Sequence, residues 1–143
     1  MRAVLQRATS ASVTVDGEVV GRIDRSGLVV LLGVTHDDGT DQVAWMVRKI
    51  RDLRIMREER SIADLDAPVL VVSQFTLYGD VRKGRRPTWQ AAAPGAVSEP
   101  LYEAVCTGLE EAGTHVERGV FGAQMLLELT NDGPITMVLD TTG

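Results

Sequence analysis

Residues 3–34, AVLQRATSASVTVDGEVVGRIDRSGLVVLLGV, decide the fold. Within AVLQRA, SVTV and EVVGRI, apolar and polar side chains alternate with a period of two, the pattern of strands with one face buried. Asp16-Gly17 separates two of these runs by two residues that tolerate positive φ, which is the strongest short-range signal for a type I′ hairpin. Ser26-Gly27 marks a second turn before the apolar run LVVLLGV. Strands this close in sequence pair antiparallel, so the opening third reads as antiparallel sheet.

Working outward, the period changes at residues 41–52, DQVAWMVRKIRD, where Val43, Met46, Val47 and Ile50 recur at helical spacing and Arg48, Lys49 and Arg51 take the opposite side. This predicts an amphipathic helix capped by Thr40 or Asp41. LRIM (53–56) reads as a short strand, and the polar SIADLD (61–66) as a lead into Pro68 and the β-branched run VLVVSQFTL, a central strand ending at a loop. A second helix is expected from Ser98 as N-cap, with Pro100 in its first turn, Leu101, Val105, Leu109 and Ala112 inward and Gly113 as its stop. HVERGV, FGAQMLLELT and ITMVLD supply the last strands. The expectation is an α+β fold: a mostly antiparallel, curled or barrel-like sheet of about seven or eight strands with two helices on one side. It should form a single domain spanning residues 1–143.

A chain of 143 residues, 44% hydrophobic, suits one core. It has no apolar run long enough to span a membrane and no signal-peptide pattern at its start, which predicts a cytoplasmic protein with no membrane partner. Cys106 stands alone, and His36 and His115 lie far apart, so no disulfide, metal or cofactor is expected. The net charge of −5 counts against a dedicated nucleic-acid binder, yet ten of the fifteen basic residues fall in two patches. In the first, Arg48, Lys49, Arg51, Arg54, Arg57 and Arg60, a solvated helix face and a phosphate contact are equally good readings. The second, Arg82, Lys83, Arg85 and Arg86, sits in the glycine-containing RKGRRP and reads as a loop that meets anions.

Near the C-terminus, LTNDGPIT (129–136) holds another Asp-Gly pair, but Pro134 removes a backbone donor where a returning strand would begin to pair. Two readings stand: a plain hairpin turn, or a rigid exposed Gly-Pro element with a function. A search for nucleophile and base returns little. Ser73 lacks a Gly-x-Ser-x-Gly elbow, Thr76 has no base at a telling distance, and neither histidine nor Cys106 has a partner that would activate it. An enzyme built from this chain must work with backbone amides, hydroxyls, water or groups of its substrate.

Three stretches change that picture: SQFTLYGDVRKGRRPTW (73–89), GVFGAQM (119–125) and TNDGPIT (130–136). In this order, and with the opening sheet, they strongly resemble the D-aminoacyl-tRNA deacylases, essentially end to end. The resemblance implies a homodimer with each active site at the subunit interface. Its reaction would hydrolyse the ester joining a D-amino acid, or glycine mischarged on tRNA(Ala), to the tRNA 3′ end while sparing L-aminoacyl-tRNA. Gly133 and Pro134 would form a cis-peptide gate reaching into the partner's site, with Asn131 in the same motif and Arg7 as its brace. Ser73, Gln74, Phe75 and Thr76 would form the catalytic motif. Phe121, Gly122, Ala123 and Met125 would line the pocket and receive the terminal adenosine, and Lys83, Arg85 and Arg86 would meet tRNA phosphates. Thr76 as nucleophile and assistance by the terminal ribose 2′-hydroxyl are the two mechanisms to weigh, and the missing base favours the second. The sequence departs from the family pattern at REERSIADLDAP (57–68) and in having Trp89 where phenylalanine is usual. Two rivals remain: another small-ester hydrolase of this fold, and a noncatalytic RNA- or DNA-binding module.

Overall fold

The alternation of the opening third becomes a sheet wound around one long strand. In the computed structural model, which describes residues 1–142, β1 (Arg2–Val15) pairs antiparallel with three partners, β2 (Glu18–Ile23), β3 (Gly27–Gly33) and β6 (Leu126–Asp140). The hairpin between β1 and β2 turns at Asp16 and Gly17, both at positive φ as the sequence predicts. β4 (Val69–Ser73) adds to β3 and β5 (Val116–Arg118) adds to β4, both parallel. Parallel pairs require crossovers. α1 (Thr40–Asp52) and α2 (Ile62–Leu65) lie between β3 and β4, and α3 (Gly95–Glu111) lies between β4 and β5. The Arg22 N–H of β2 donates to Glu117 Oε1 of β5 at 3.2 Å, so the mixed sheet nearly closes on itself as a barrel.

Two apolar clusters follow from strand alternation. Ala3, Leu5, Leu28, Val30, Leu32, Val69 and Val71 face the helices and pack with Met46, Ile50, Tyr102, Val105, Cys106 and Leu109. On the opposite face Ala8, Ala11, Val13, Val29, Leu70 and Val72 form the barrel interior. β3 and β4 are therefore covered on both sides, which is why they read as continuous apolar runs and can pair in parallel. Burying a side chain of this size contributes roughly 1.5–3 kcal/mol, and these strands carry it on both faces.

Several expectations are corrected. Six strands replace the expected seven or eight, because AVLQRA and SVTV are halves of β1 and the last two expected strands are halves of β6. LRIM is no strand: only Met56 forms an isolated bridge, to Arg60. SIADLD contains α2, whose start is fixed when Ser61 Oγ accepts from the Asp64 N–H and Asp64 Oδ2 accepts from the Ser61 N–H, both at 3.0 Å. Gly39, not Thr40 or Asp41, caps α1, its N–H donating to Gln42 Oε1 at 2.9 Å. α3 starts three residues before Ser98, with Pro94 as its cap, and buried Ser98 donates its hydroxyl to the Pro94 carbonyl. Its inward face consequently runs through Ser98, Tyr102, Val105, Cys106 and Leu109, while Leu101 is half-buried and Ala112 exposed. Gly113 does end the helix, in a Schellman arrangement: its N–H donates to the Glu110 carbonyl and that of Thr114 to the Leu109 carbonyl.

LTNDGPIT makes no hairpin. Both halves of β6 pair with the same strand, Leu126–Asn131 with the second half of β1 and Thr136–Asp140 with the first, so residues 132–135 bulge out opposite Arg7. The Gly133–Pro134 peptide is cis, and both residues are exposed. No helix among the described residues is long and apolar enough to cross a membrane.

Candidate active site

β4 ends at Ser73, which pairs with Leu32, and the Gln74 N–H makes one further bond to the Leu32 carbonyl at 2.8 Å before the chain turns away. Phe75–Tyr78 then form a single 3-10 turn, so SQFTL leaves the sheet at the strand's carboxyl end instead of continuing it. Beneath that turn lies a cavity of about 460 Å³. Ser73, Gln74 and Phe75 form one wall and Phe121, Gly122, Ala123 and Met125 another, which brings together two segments the sequence singles out. Trp89, Ser98 and Tyr102 also line the cavity.

The cavity wall is apolar with a few neutral polar groups. Phe75, 56% exposed, meets Trp89 edge-on with ring centroids 5.2 Å apart, so two aromatic faces stand at the mouth. Phe121 packs at 5.9 Å against Tyr102, whose hydroxyl donates to the Val71 carbonyl at 2.8 Å. Burial pushes the Tyr102 phenol far above its ordinary value, so it keeps its proton at any working pH. No aspartate, glutamate, histidine, lysine or cysteine is among the lining residues. Thr76 is exposed and outside the lining, and its Oγ1 accepts from the Gln74 amide, a group that cannot take up a proton. Cys106 is fully buried on the inward face of α3, and burial, only partly countered by Arg118, raises its thiol to about 11.

The Gly133–Pro134 bulge lies apart from this cavity, since none of Arg7, Asn131, Gly133 or Pro134 lines it. Asn131 Nδ2 closes the neck of the bulge by donating to the Arg7 carbonyl at 2.9 Å and the Ile135 carbonyl at 3.1 Å. Gln6 Nε2 donates to Thr136 Oγ1 on the other flank. Arg7, a charged residue only 7% exposed, donates from Nε to the Asp132 carbonyl at 3.0 Å and from Nη1 to the Ile55 carbonyl at 3.2 Å. The basic loop is a third, separate feature. Reciprocal backbone bonds between Asp80 and Thr88 close it, Arg82 folds back onto Asp80, and Lys83, Arg85 and Arg86 project into solvent.

The sequence model of the D-Tyr-tRNA(Tyr) deacylases matches residues 4–140. The chain belongs to that family. A D-aminoacyl-tRNA deacylase of Kineococcus radiotolerans is 64% identical over 140 residues, which cover 98% of this chain and 99% of that one. The solved structure of a c-Myc DNA unwinding element binding protein superposes with a TM-score of 0.92 at 38% identity, over 99% of both chains. A second, described as a probable eukaryotic D-amino acid tRNA deacylase, has a TM-score of 0.82 at 20% identity over 96% of this chain and 97% of that one, and shares the fold. Within this deacylase framework, reasoning from sequence missed Trp89, Ser98 and Tyr102 in the cavity. It also passed over Asp132, through which both Arg7 and Arg57 hold the bulge. Tyr102 was legible as a position four residues from Ser98 and three from Val105; Asp132 carried no local signal beyond its turn propensity.

Proposed function

We propose that the cavity between the Phe75 turn and Phe121 takes the 3′-terminal adenosine and aminoacyl ester of tRNA, and that the ester is hydrolysed there with help from the substrate. The activity belongs to the family: the chain is a D-aminoacyl-tRNA deacylase, a hydrolase of the ester linking amino acid to tRNA. The observation that carries the finer reading is the composition of the cavity, which offers aromatic faces and neutral hydrogen-bonding groups but no side chain able to act as a base. The adenine stacks on aromatic surface. The first amides of a helical turn lack intrahelical acceptors, so those of Phe75 and Thr76 serve the developing oxyanion. Water attacks the ester carbonyl carbon and the bond to the ribose 3′-oxygen breaks. The neighbouring 2′-hydroxyl relays the proton to that leaving oxygen, giving free D-amino acid and intact tRNA. Thr76 positions Gln74 and performs no attack of its own.

Selection against L-substrates is assigned to Gly133 and Pro134 of a second copy. Their absence from the cavity of their own chain supports delivery in trans. So does the free edge of β6, which pairs on one side only and carries Leu126 at 76% and Val138 at 67% exposure. An L-side chain is turned into the gate's backbone while a D-residue or glycine, including glycine on tRNA(Ala), is accepted. Lys83, Arg85 and Arg86 hold phosphates without sequence readout. These assignments make residues 1–143 one deacylase domain working where translation occurs, in the cytoplasm.

The test is release of labelled amino acid from D-tyrosyl-, L-tyrosyl- and glycyl-tRNA against enzyme-free controls. Loss of the D- and glycyl esters with the L-ester intact is expected. No turnover by folded protein that still binds nucleic acid would instead favour a binding module, the reading that the DNA-binding structural relative brings forward.

A further inference from the structure

Asp132, the residue immediately before Gly133, is held by two guanidinium groups that reach it from different parts of the chain. Arg7 approaches from β1, with Nε 3.2 Å from Oδ2 and 3.0 Å from the Asp132 carbonyl oxygen. Arg57 approaches from the Arg57–Glu59 turn and forks onto the carboxylate, its Nε 3.1 Å from the same Oδ2 and its Nη2 on Oδ1. The carboxylate is 12% exposed, whereas the Arg57 side chain is 70% exposed. A single exposed ion pair contributes about 0–1 kcal/mol to stability, so Arg57 is poorly placed to hold the fold together.

The backbone that presents Arg57 is unusual. Glu58 and Glu59 follow it at φ 61° and φ 55°, two successive non-glycine residues in the left-handed region. Each costs on the order of 1–2 kcal/mol. Two backbone bonds hold the turn regardless: the Met56 N–H donates to the Arg60 carbonyl at 2.9 Å and the Arg60 N–H to the Arg57 carbonyl at 3.3 Å, between buried Met56 and Ile62. Backbone strain that persists next to a functional element is a lead to a role for the residues it places. Here the turn sets Arg57, Arg7 and Ile135 around one cleft beside the bulge.

We infer that Arg57 is a positioning residue for the Gly133–Pro134 gate, acting through Asp132 to fix the direction in which the bulge leaves β6. This rests on the gate reading above. Arg7 anchors the base of the bulge from inside the fold, and exposed Arg57 shares Oδ2 with it and adds a bond to Oδ1, so both carboxylate oxygens of Asp132 are held.

The experiment compares Arg57→Ala, Arg57→Lys and Asp132→Asn with the parent on D-tyrosyl- and L-tyrosyl-tRNA, alongside Gly133→Ala as a direct perturbation of the gate. A Cβ at Gly133 would meet only Asn131 Oδ1, at 3.5 Å, so that variant folds. Arg57→Ala should lose about tenfold in the ratio of D- to L-turnover, mostly in kcat with KM within about twofold, while its urea midpoint stays that of the parent. Arg57→Lys should restore part of the ratio, and Asp132→Asn combined with Arg57→Ala should cost no more than the larger single effect. An unchanged ratio in Arg57→Ala while Gly133→Ala alters it overturns the role of Arg57 and leaves the gate standing. An unchanged ratio in both removes the gate and this inference with it. A fall in the ratio that tracks a lowered urea midpoint makes Arg57 a stability residue and also overturns the proposal.

Discussion

Replacing Arg7 with alanine should destabilise the protein by about 3 kcal/mol, a value at the low end of what removing one partner of a buried ion pair costs. The side chain is 8% exposed and its partner Asp132 12%. Truncation removes the bonds to the Asp132 carbonyl and carboxylate and the bond to the Ile55 carbonyl. Charged hydrogen bonds of this kind contribute about 1.5–3 kcal/mol each, but they share one guanidinium and are not additive. Asp132 also keeps Arg57, which spares it from becoming an unpaired buried charge and holds the total to the low end. Urea unfolding at fixed protein concentration should show the loss as a lower midpoint with an unchanged slope. Repeating the titration in salt near 1 M, where the screening length is about 3 Å, should leave most of the difference in place because the pair is buried. A variant within about 0.5 kcal/mol of the parent, or a loss that vanishes in salt, would refute the claim that Arg7 anchors the bulge.

Gly27→Ala should fail to fold stably or lose at least about 3 kcal/mol in urea unfolding, since its methyl would lie 2.2 Å from the backbone oxygen of Pro68. Asp140 tests the acid side. Burial raises its carboxyl, but the Thr142 hydroxyl and N–H and the Arg2 guanidinium more than offset this and hold it at about 2. A depressed carboxylate stabilises above its ordinary value near 4 and loses that contribution as pH falls through about 2, so Asp140→Asn should cost about 1 kcal/mol at neutral pH, progressively less below pH 4, and nothing once the pH is well below 2. Cys106, fully buried with its thiol raised to about 11, should resist a thiol-specific disulfide reagent in native protein and react stoichiometrically in denaturant; fast native labelling would contradict its placement. Charge reversal at Arg85 and Arg86 should raise KM for aminoacyl-tRNA and reduce the slope of log KM against log salt by roughly 0.7–0.9 for each phosphate the loop no longer neutralises; an unchanged slope would show that the loop does not meet the backbone.

The parts of the fold legible in the sequence are those written in local periodicity. The β1–β2 hairpin follows from alternation and Asp16-Gly17, and α1 from its 3.6-residue stripe. What local pattern does not encode is partner choice. LVVLLG and VLVVS are apolar throughout, and nothing in either announces that they pair in parallel with each other. Gly27 reads as a turn residue because glycine usually is one; its reason here is the Pro68 backbone pressed against it, a neighbour from 41 residues away in sequence. SIADLD hid a four-residue helix because its signal, Ser61 and Asp64 bonding each other's backbone, is a cap without an apolar stripe behind it. At the site, SQFT and FGAxM are visible as motifs and line one cavity through Ser73–Phe75 and through Phe121, Gly122, Ala123 and Met125, whereas Tyr102 and Ser98 enter through the phase of α3, whose start lies three residues before the expected one.

The bulge in β6 also has an arithmetic. From Val4 to Ser12, β1 advances eight residues; from Glu128 to Val138, the strand paired with it advances ten. The surplus of two residues is what lets 132–135 leave the sheet while pairing with β1 resumes on both flanks. Leu139 packs into the helix-side core beyond the bulge, whereas Leu127 and Leu129 pack toward the barrel interior before it, so the detour separates two stretches of β6 that serve opposite faces of the sheet. A change of length between Asn131 and Thr136 would therefore fall on the projection itself, lengthening or shortening its reach, while the paired stretches on either flank keep their places against β1.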